Sequence, residues 1–154
     1  MSYTLSQLLI LTQNEKRAFK ESYHIDALKL TSGSDSLGKF SQFGAVVTGG
    51  KEPRYSVVRA YSEDVTATST AKVTCSCSYF RIRLAVSLSL AGATDMKVNK
   101  ADIPEKLSNL QKPGLCPHLL VLVESILSMN TTEMKRLKQQ QSSTNVHERL
   151  RRLT

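Results

Sequence analysis

Residues 73–92 read VTCSCSYFRIRLAVSLSLAG, and the fold turns on how the second half of this stretch is placed. Ile82, Leu84, Val86, Leu88 and Leu90 recur in strict two-residue steps, the pattern of a strand with one apolar face. The same residues also contain a helical stripe, Phe80, Leu84, Leu88 and Ala91, with Gly92 where a helix C-cap would fall. Periodicity alone leaves both readings open. Just upstream, Val73, Cys75 and Cys77 alternate with Thr74, Ser76 and Ser78, so an extended backbone turns both sulfurs to one face. A tight turn between or just after them brings the thiolates close enough to share one ion.

The remaining cysteine lies in LCPHLL at 115–120. Cys75, Cys77, Cys116 and His118 supply three thiolates and one imidazole, a standard composition for a closed tetrahedral zinc site, with no cysteine left over. Pro117 suits a first helical turn because its missing amide would be unpaired there, and HLLVLVESIL continues as an apolar helix. The field and free amides at that helix start favour a thiolate at Cys116. The bland alternative is three small cysteines packed in a core with His118 satisfied by a hydrogen bond. A cysteine and His118 acting as nucleophile and base would leave two sulfurs unused. A four-ligand site leaves no position for an activated water, so the expected role of Zn2+ is structural.

Outward from these segments, Thr12 and Glu15 form a capping-box signal that predicts a helix over 13–30, with Ala18, Phe19, Tyr23, Ala27 and Leu30 as its apolar stripe. The polar stretch TSGSDSLGK (31–39) has the composition of a connector. Strands are predicted over 40–47 and 55–61, separated by a turn at Gly49, Gly50 and Pro53. Residues 93–112 read as loop with a short helix over 105–110. The predicted fold is α+β, a small antiparallel sheet or β-hairpin packed on helices. Residues 1–30 form an N-terminal helical arm, 31–130 a zinc-binding domain and 131–154 a basic tail.

The chain has 21 basic and 13 acidic side chains among 154 residues and a formal charge of +8. The excess is back-loaded: Lys135, Arg136, Lys138, Arg149, Arg151 and Arg152 face only Glu133 and Glu148 within 131–154. With Arg81 and Arg83, these are the candidate contacts to nucleic acid or to an acidic partner. The tail has no aromatic residue for base stacking. No run approaches the roughly 18–20 apolar residues of a membrane span. Residues 1–11 lack the marks of a signal peptide, so a cytoplasmic protein is expected. Motifs for phosphate binding, zinc proteolysis and serine hydrolysis are absent from the sequence. The acidic pair Glu63 and Asp64 reads as a solvated turn rather than a nuclease site, and neither His24 nor His147 has a nucleophile nearby in sequence. The expectation is a protein that is not an enzyme.

The C-x-C of Cys75–Cys77 with the C-x-H of Cys116–His118 resembles SWIM-type zinc-binding domains. That resemblance implies that all four residues are ligands, the first pair on a β-hairpin and the second at a helix N-terminus. It also implies a helix leaving the C-x-C turn over 79–91, and a role in DNA or protein binding rather than catalysis. The longer context, CSCSYFRIRLAVSLSLAGA with KPGLCPHLLVLVESIL, is similar over roughly residues 55–128 to small structural or connector proteins of tailed bacteriophages. It implies a virion component made in the host cytoplasm, a head, neck, tail or baseplate part that contacts other structural proteins. No membrane or small-molecule substrate is expected.

Overall fold

The computed structural model describes residues 2–14, 23–49, 52–98, 103, 105–106 and 113–140. Five antiparallel strands form one sheet in the order β1-β5-β4-β3-β2, with β1 at Tyr3–Thr4, β2 at His24–Asp35, β3 at Gly38–Thr48, β4 at Arg54–Ala60 and β5 at Thr70–Cys75. Helix α1 is Leu5–Asn14, a π-helical turn at Phe80–Leu84 runs into α2 at Ala85–Leu90, and α3 is Pro117–Ser128. A further helical stretch, α4, covers 131–140. The α+β architecture expected from the sequence is the one observed.

Strands β3, β4 and β5 alternate cleanly. Phe43, Ala45 and Val47, then Val58 and Ala60, then Ala71, Val73 and Cys75 are all fully buried, while Gln42, Val57, Arg59, Lys72 and Thr74 take the other parity and are less covered. Apolar helices cover the buried face: Leu5 and Leu8 of α1, Phe80, Leu84 and Leu88 around α2, and Leu119, Leu122, Val123 and Ile126 of α3 join the strand residues in one core. In the ambiguous stretch, Phe80, Leu84 and Leu88 are buried while Ile82 and Leu90 are exposed, the helical stripe rather than the two-step one. Gly92 closes this helix at φ +71°. Its amide donates to Ser89 O at 3.1 Å and that of Ala93 to Leu88 O at 2.8 Å, the paired bonds of a Schellman C-cap.

Two expectations are corrected at the N-terminal side. Helix α1 is described over Leu5–Asn14, and residues 24–30, expected to be helical, open β2. The β2–β3 register shifts between Asp26 and Lys29, where Ala27 takes φ +52°. This bulge inserts a residue into the alternation between Ile25 and Leu28, which removes the two-residue strand signal from 24–30. The capping box is also elsewhere. Thr4 Oγ1 accepts from Gln7 N at 3.1 Å while Gln7 Oε1 accepts from Thr4 N at 2.9 Å, which starts α1 reciprocally. Thr12 lies inside α1. The predicted continuation over 15–22 and most of the predicted 105–110 helix lie outside the described residues. Residues 31–39, expected as a connector, are the tip of the β2–β3 hairpin: Asp35 pairs with Gly38 across Ser36 and Leu37.

On the less covered sheet face, Arg59 joins four elements. It donates to Gln42 Oε1 at 2.9 Å, Asp35 Oδ2 at 2.9 Å and Asp95 Oδ2 at 3.1 Å, and its guanidinium carbon stands 4.4 Å from the centroid of Phe40. Lys72 Nζ holds the other Asp95 oxygen at 2.7 Å. Tyr61 donates to Asp35 at 2.8 Å. That bond, with donation from Leu37 N–H and Arg59, outweighs desolvation and holds the Asp35 carboxyl below its ordinary value of 3.8. A lowered folded-state pKa gives stabilisation that is complete above the unfolded value and lost as pH falls through the folded one. Asp35→Asn is therefore expected to be less stable than the parent at neutral pH. Denaturant unfolding across pH should show the difference closing below 3.8; a difference that is the same at every pH would contradict this role.

Candidate metal centre

The two halves of the cluster reach the core by different routes. Cys75 is the last residue of β5 and therefore points inward with Val73. One residue later the chain turns. Ser76 N donates to Tyr55 O at 3.0 Å, Ser76 Oγ accepts from Tyr55 N at 3.0 Å, and Arg54 donates to Ser76 O at 3.3 Å. These bonds pin the residue between the cysteines against β4, leaving Ser76 exposed and Cys77 buried. Cys75 ends the second strand of the antiparallel β4–β5 pair, and from there the C-x-C leads directly into the helical segment. Cys116 is the N-cap of α3, with φ −74° and ψ 167°, and its sulfur accepts from Leu119 N at 3.4 Å. Pro117 then begins the helix and His118 sits in its first turn, as the resemblance implied.

Cys75, Cys77, Cys116 and His118 are all buried, and their candidate ligand atoms all lie within 4.8 Å of one another. Ligands about 2.0–2.3 Å from one tetrahedral ion stand roughly 3.3–3.8 Å apart. The cluster therefore fits a single ion with small side-chain adjustments. Nδ1 of His118 lies 4.0 Å from Cys116 Sγ, and the His118 ring meets Tyr23 edge-on with centroids 5.2 Å apart. The four residues can hold a metal ion.

Each sulfur receives one further hydrogen bond. Ser56 Oγ donates to Cys75 Sγ at 3.4 Å, Phe80 N to Cys77 Sγ at 3.3 Å, and Leu119 N to Cys116 Sγ. Such donors spread thiolate charge and orient ligands. The protein groups by themselves ionise unevenly. Hydrogen bonding from Cys116 and then Cys75 pushes the Cys77 thiol far below its usual range, while burial, with Cys75 and Cys77 adding to it, pushes Cys116 well above. At Cys75 the lowering effect of Cys116 is outweighed by Cys77 and burial, and the thiol is raised. A divalent cation at the centre is the group that lets all three sulfurs ionise together.

Two positioning residues carry no sequence signal of that role. Ser56 faces Cys75 only because β4 and β5 pair in that register. Thr12, fully buried in α1, donates to Leu8 O at 2.7 Å and accepts from Leu115 N at 2.8 Å, which ties α1 to the residue before Cys116. Among the basic candidates, Arg81 and Arg83 are exposed on the π turn, and Lys135, Arg136 and Lys138 are exposed on α4. Arg149, Arg151 and Arg152 lie outside the described residues. Glu63 and Asp64 lie in the β4–β5 loop, both exposed. Among the described residues no helix is long and apolar enough to cross a membrane.

No protein-family model, no curated protein and no solved structure matches this chain.

Thr12→Val removes the acceptor for the buried Leu115 amide while keeping side-chain volume. It is expected to cost about 1–3 kcal/mol in unfolding free energy. A cost below about 0.5 kcal/mol would mean that the amide finds another partner. His118→Ala is expected to weaken metal affinity and lower the melting temperature, with the metal content of the purified protein as the direct measurement. Unchanged metal content and stability would remove His118 from the ligand set.

Proposed function

We propose that this protein is a zinc-stabilised structural or adaptor protein without catalytic activity, a component of a bacteriophage virion that mediates protein–protein assembly. The observation that carries the zinc part is the convergence of three buried sulfurs and one buried imidazole within 4.8 Å. That donor set is characteristic of closed, four-coordinate structural zinc. Its burial supports a structural role, because a catalytic ion needs an open position reachable by substrate and water. Zinc held between the end of β5, the start of the π turn and the N-terminus of α3 joins the sheet to two helical segments, and such an ion contributes its binding energy directly to folding. The virion and assembly part rests on the similarity of residues 55–128 to small structural and connector proteins of tailed bacteriophages.

A second reading is a SWIM-like DNA-binding module that uses its basic C-terminal region. It is favoured by Lys135, Arg136 and Lys138, which are exposed together on α4. Such a surface would bind phosphate without selecting sequence, and its affinity would fall steeply with salt.

Metal analysis of the purified protein is expected to find one equivalent of zinc, and chelation should collapse the folded signal in step with zinc loss, on the scale of about 10 kcal/mol of binding energy. Zinc removed with no change in fold would contradict the structural role. Native mass measurement beside DNA binding at two salt concentrations separates the two readings. Self-assembly or co-assembly with weak DNA affinity supports the first, and a monomer with tight, salt-sensitive DNA binding supports the second.

A further inference from the structure

The π turn that follows Cys77 presents an unusual surface. Ile82 is 72% exposed, between the exposed side chains of Arg81 and Arg83. Beside it runs a groove of about 480 Å³ whose walls include Arg81, Ile82, Val86, Met96, Lys97 and Val98. Among the described residues, no carboxylate lines it. Among the described residues, Arg81, Arg83 and Lys97 make no salt bridge, whereas Arg59 and Lys72 on the sheet face are neutralised by Asp35 and Asp95. The exposed apolar side chain of Ile82 thus stands beside cations that no described carboxylate neutralises.

We propose that this groove docks an acidic segment of a partner protein, with an apolar side chain seated against Ile82 and Met96 and flanking carboxylates meeting Arg81, Arg83 and Lys97. Charge complementarity selects an anionic partner. The lining selects a peptide over a nucleic acid, because it offers aliphatic and thioether surface and no aromatic ring on which a base could stack. The π-helical geometry contributes as well. Ala85 N–H reaches back to Phe80 O, and the widened turn leaves Arg81, Ile82 and Arg83 consecutively exposed, an arrangement that π turns commonly bring to functional sites.

The surface is also coupled to the metal centre. Arg81 N donates to Cys77 O at 3.1 Å and Phe80 N to Cys77 Sγ at 3.3 Å, so a ligand of the metal fixes the start of the turn. This inference deepens the assembly reading above and rests on it for the kind of partner.

The test is selection of random dodecapeptides on the full-length, metal-loaded protein, followed by Kd measurement with the best peptide made synthetically and labelled. The expected consensus is one or two large apolar residues flanked by Asp or Glu. Ile82→Asp and the double variant Arg81→Glu/Arg83→Glu should each lose at least about tenfold in affinity, with metal content and melting temperature unchanged because these side chains are exposed. Chelation should abolish peptide binding. The proposal is overturned if no such consensus emerges, if Ile82→Asp binds as well as the parent, or if single-stranded oligodeoxythymidine competes as well as the peptide. Metal content and native mass of the same preparations report on the assembly reading separately. A metal-loaded protein that assembles but selects no acidic peptide ends this inference alone.

Discussion

Three thiols and an imidazole packed within 4.8 Å of one another and shut away from water impose a charge requirement that the rest of the fold is arranged around. Buried like charges cannot all exist without a counter-charge, and the cost of leaving one uncompensated runs to several kcal/mol. A divalent ion bound there would leave three thiolates with a net charge of about −1, which the three donors from Ser56, Phe80 and Leu119 would spread. Those donors come from β4, the π turn and α3. The second layer of the centre thus draws on the same elements that form the core.

The four residues of the cluster come from the elements that also build the core. The apolar core runs from Leu5 and Leu8 through Phe43 and Val58 to Leu119 and Ile126. The metal cluster sits at its border, where β5 ends and α3 begins. The opposite face of the sheet relies on different chemistry. There Arg59 bridges Asp35 and Asp95, and Lys72 shares Asp95, so charged pairs tie β2, β4, β5 and the chain after α2 where no helix among the described residues covers them.

Much of this could be read before any coordinates, for reasons that differ by residue. The four clustered residues were legible because thiolate and imidazole chemistry is specific and no cysteine was left over. Strands β3 and β4 were legible from their branched and aromatic content and the turn between them, and β5 from the alternation through Cys75. The stretch after Cys77 satisfied two periods at once, and the choice of helix came from the resemblance rather than from the pattern. Strand β2 was hidden by its bulge, which breaks the two-residue repeat around Ala27. At the N-terminus two threonines competed for the role of cap; Thr4 with Gln7 took it, while Thr12 turned inward to Leu115. Such long-range roles, like that of Ser56 beside Cys75, depend on strand register and chain return, which local sequence does not encode.

The bond between Thr12 and Leu115 spans 103 positions, and β1 pairs only with β5. During synthesis the first strand and helix therefore leave the ribosome long before their partners exist. Strands β2, β3 and β4 can pair as successive hairpins while translation continues, but β1 and the start of α1 wait for β5 and the loop before it, to which Leu5 and Ser6 are bonded. Contacts of such separation form slowly and leave apolar surface open to misassociation in the interval. The pairing of residues 3–6 thus closes a loop of more than 60 residues, a long-range contact of the kind that forms slowly.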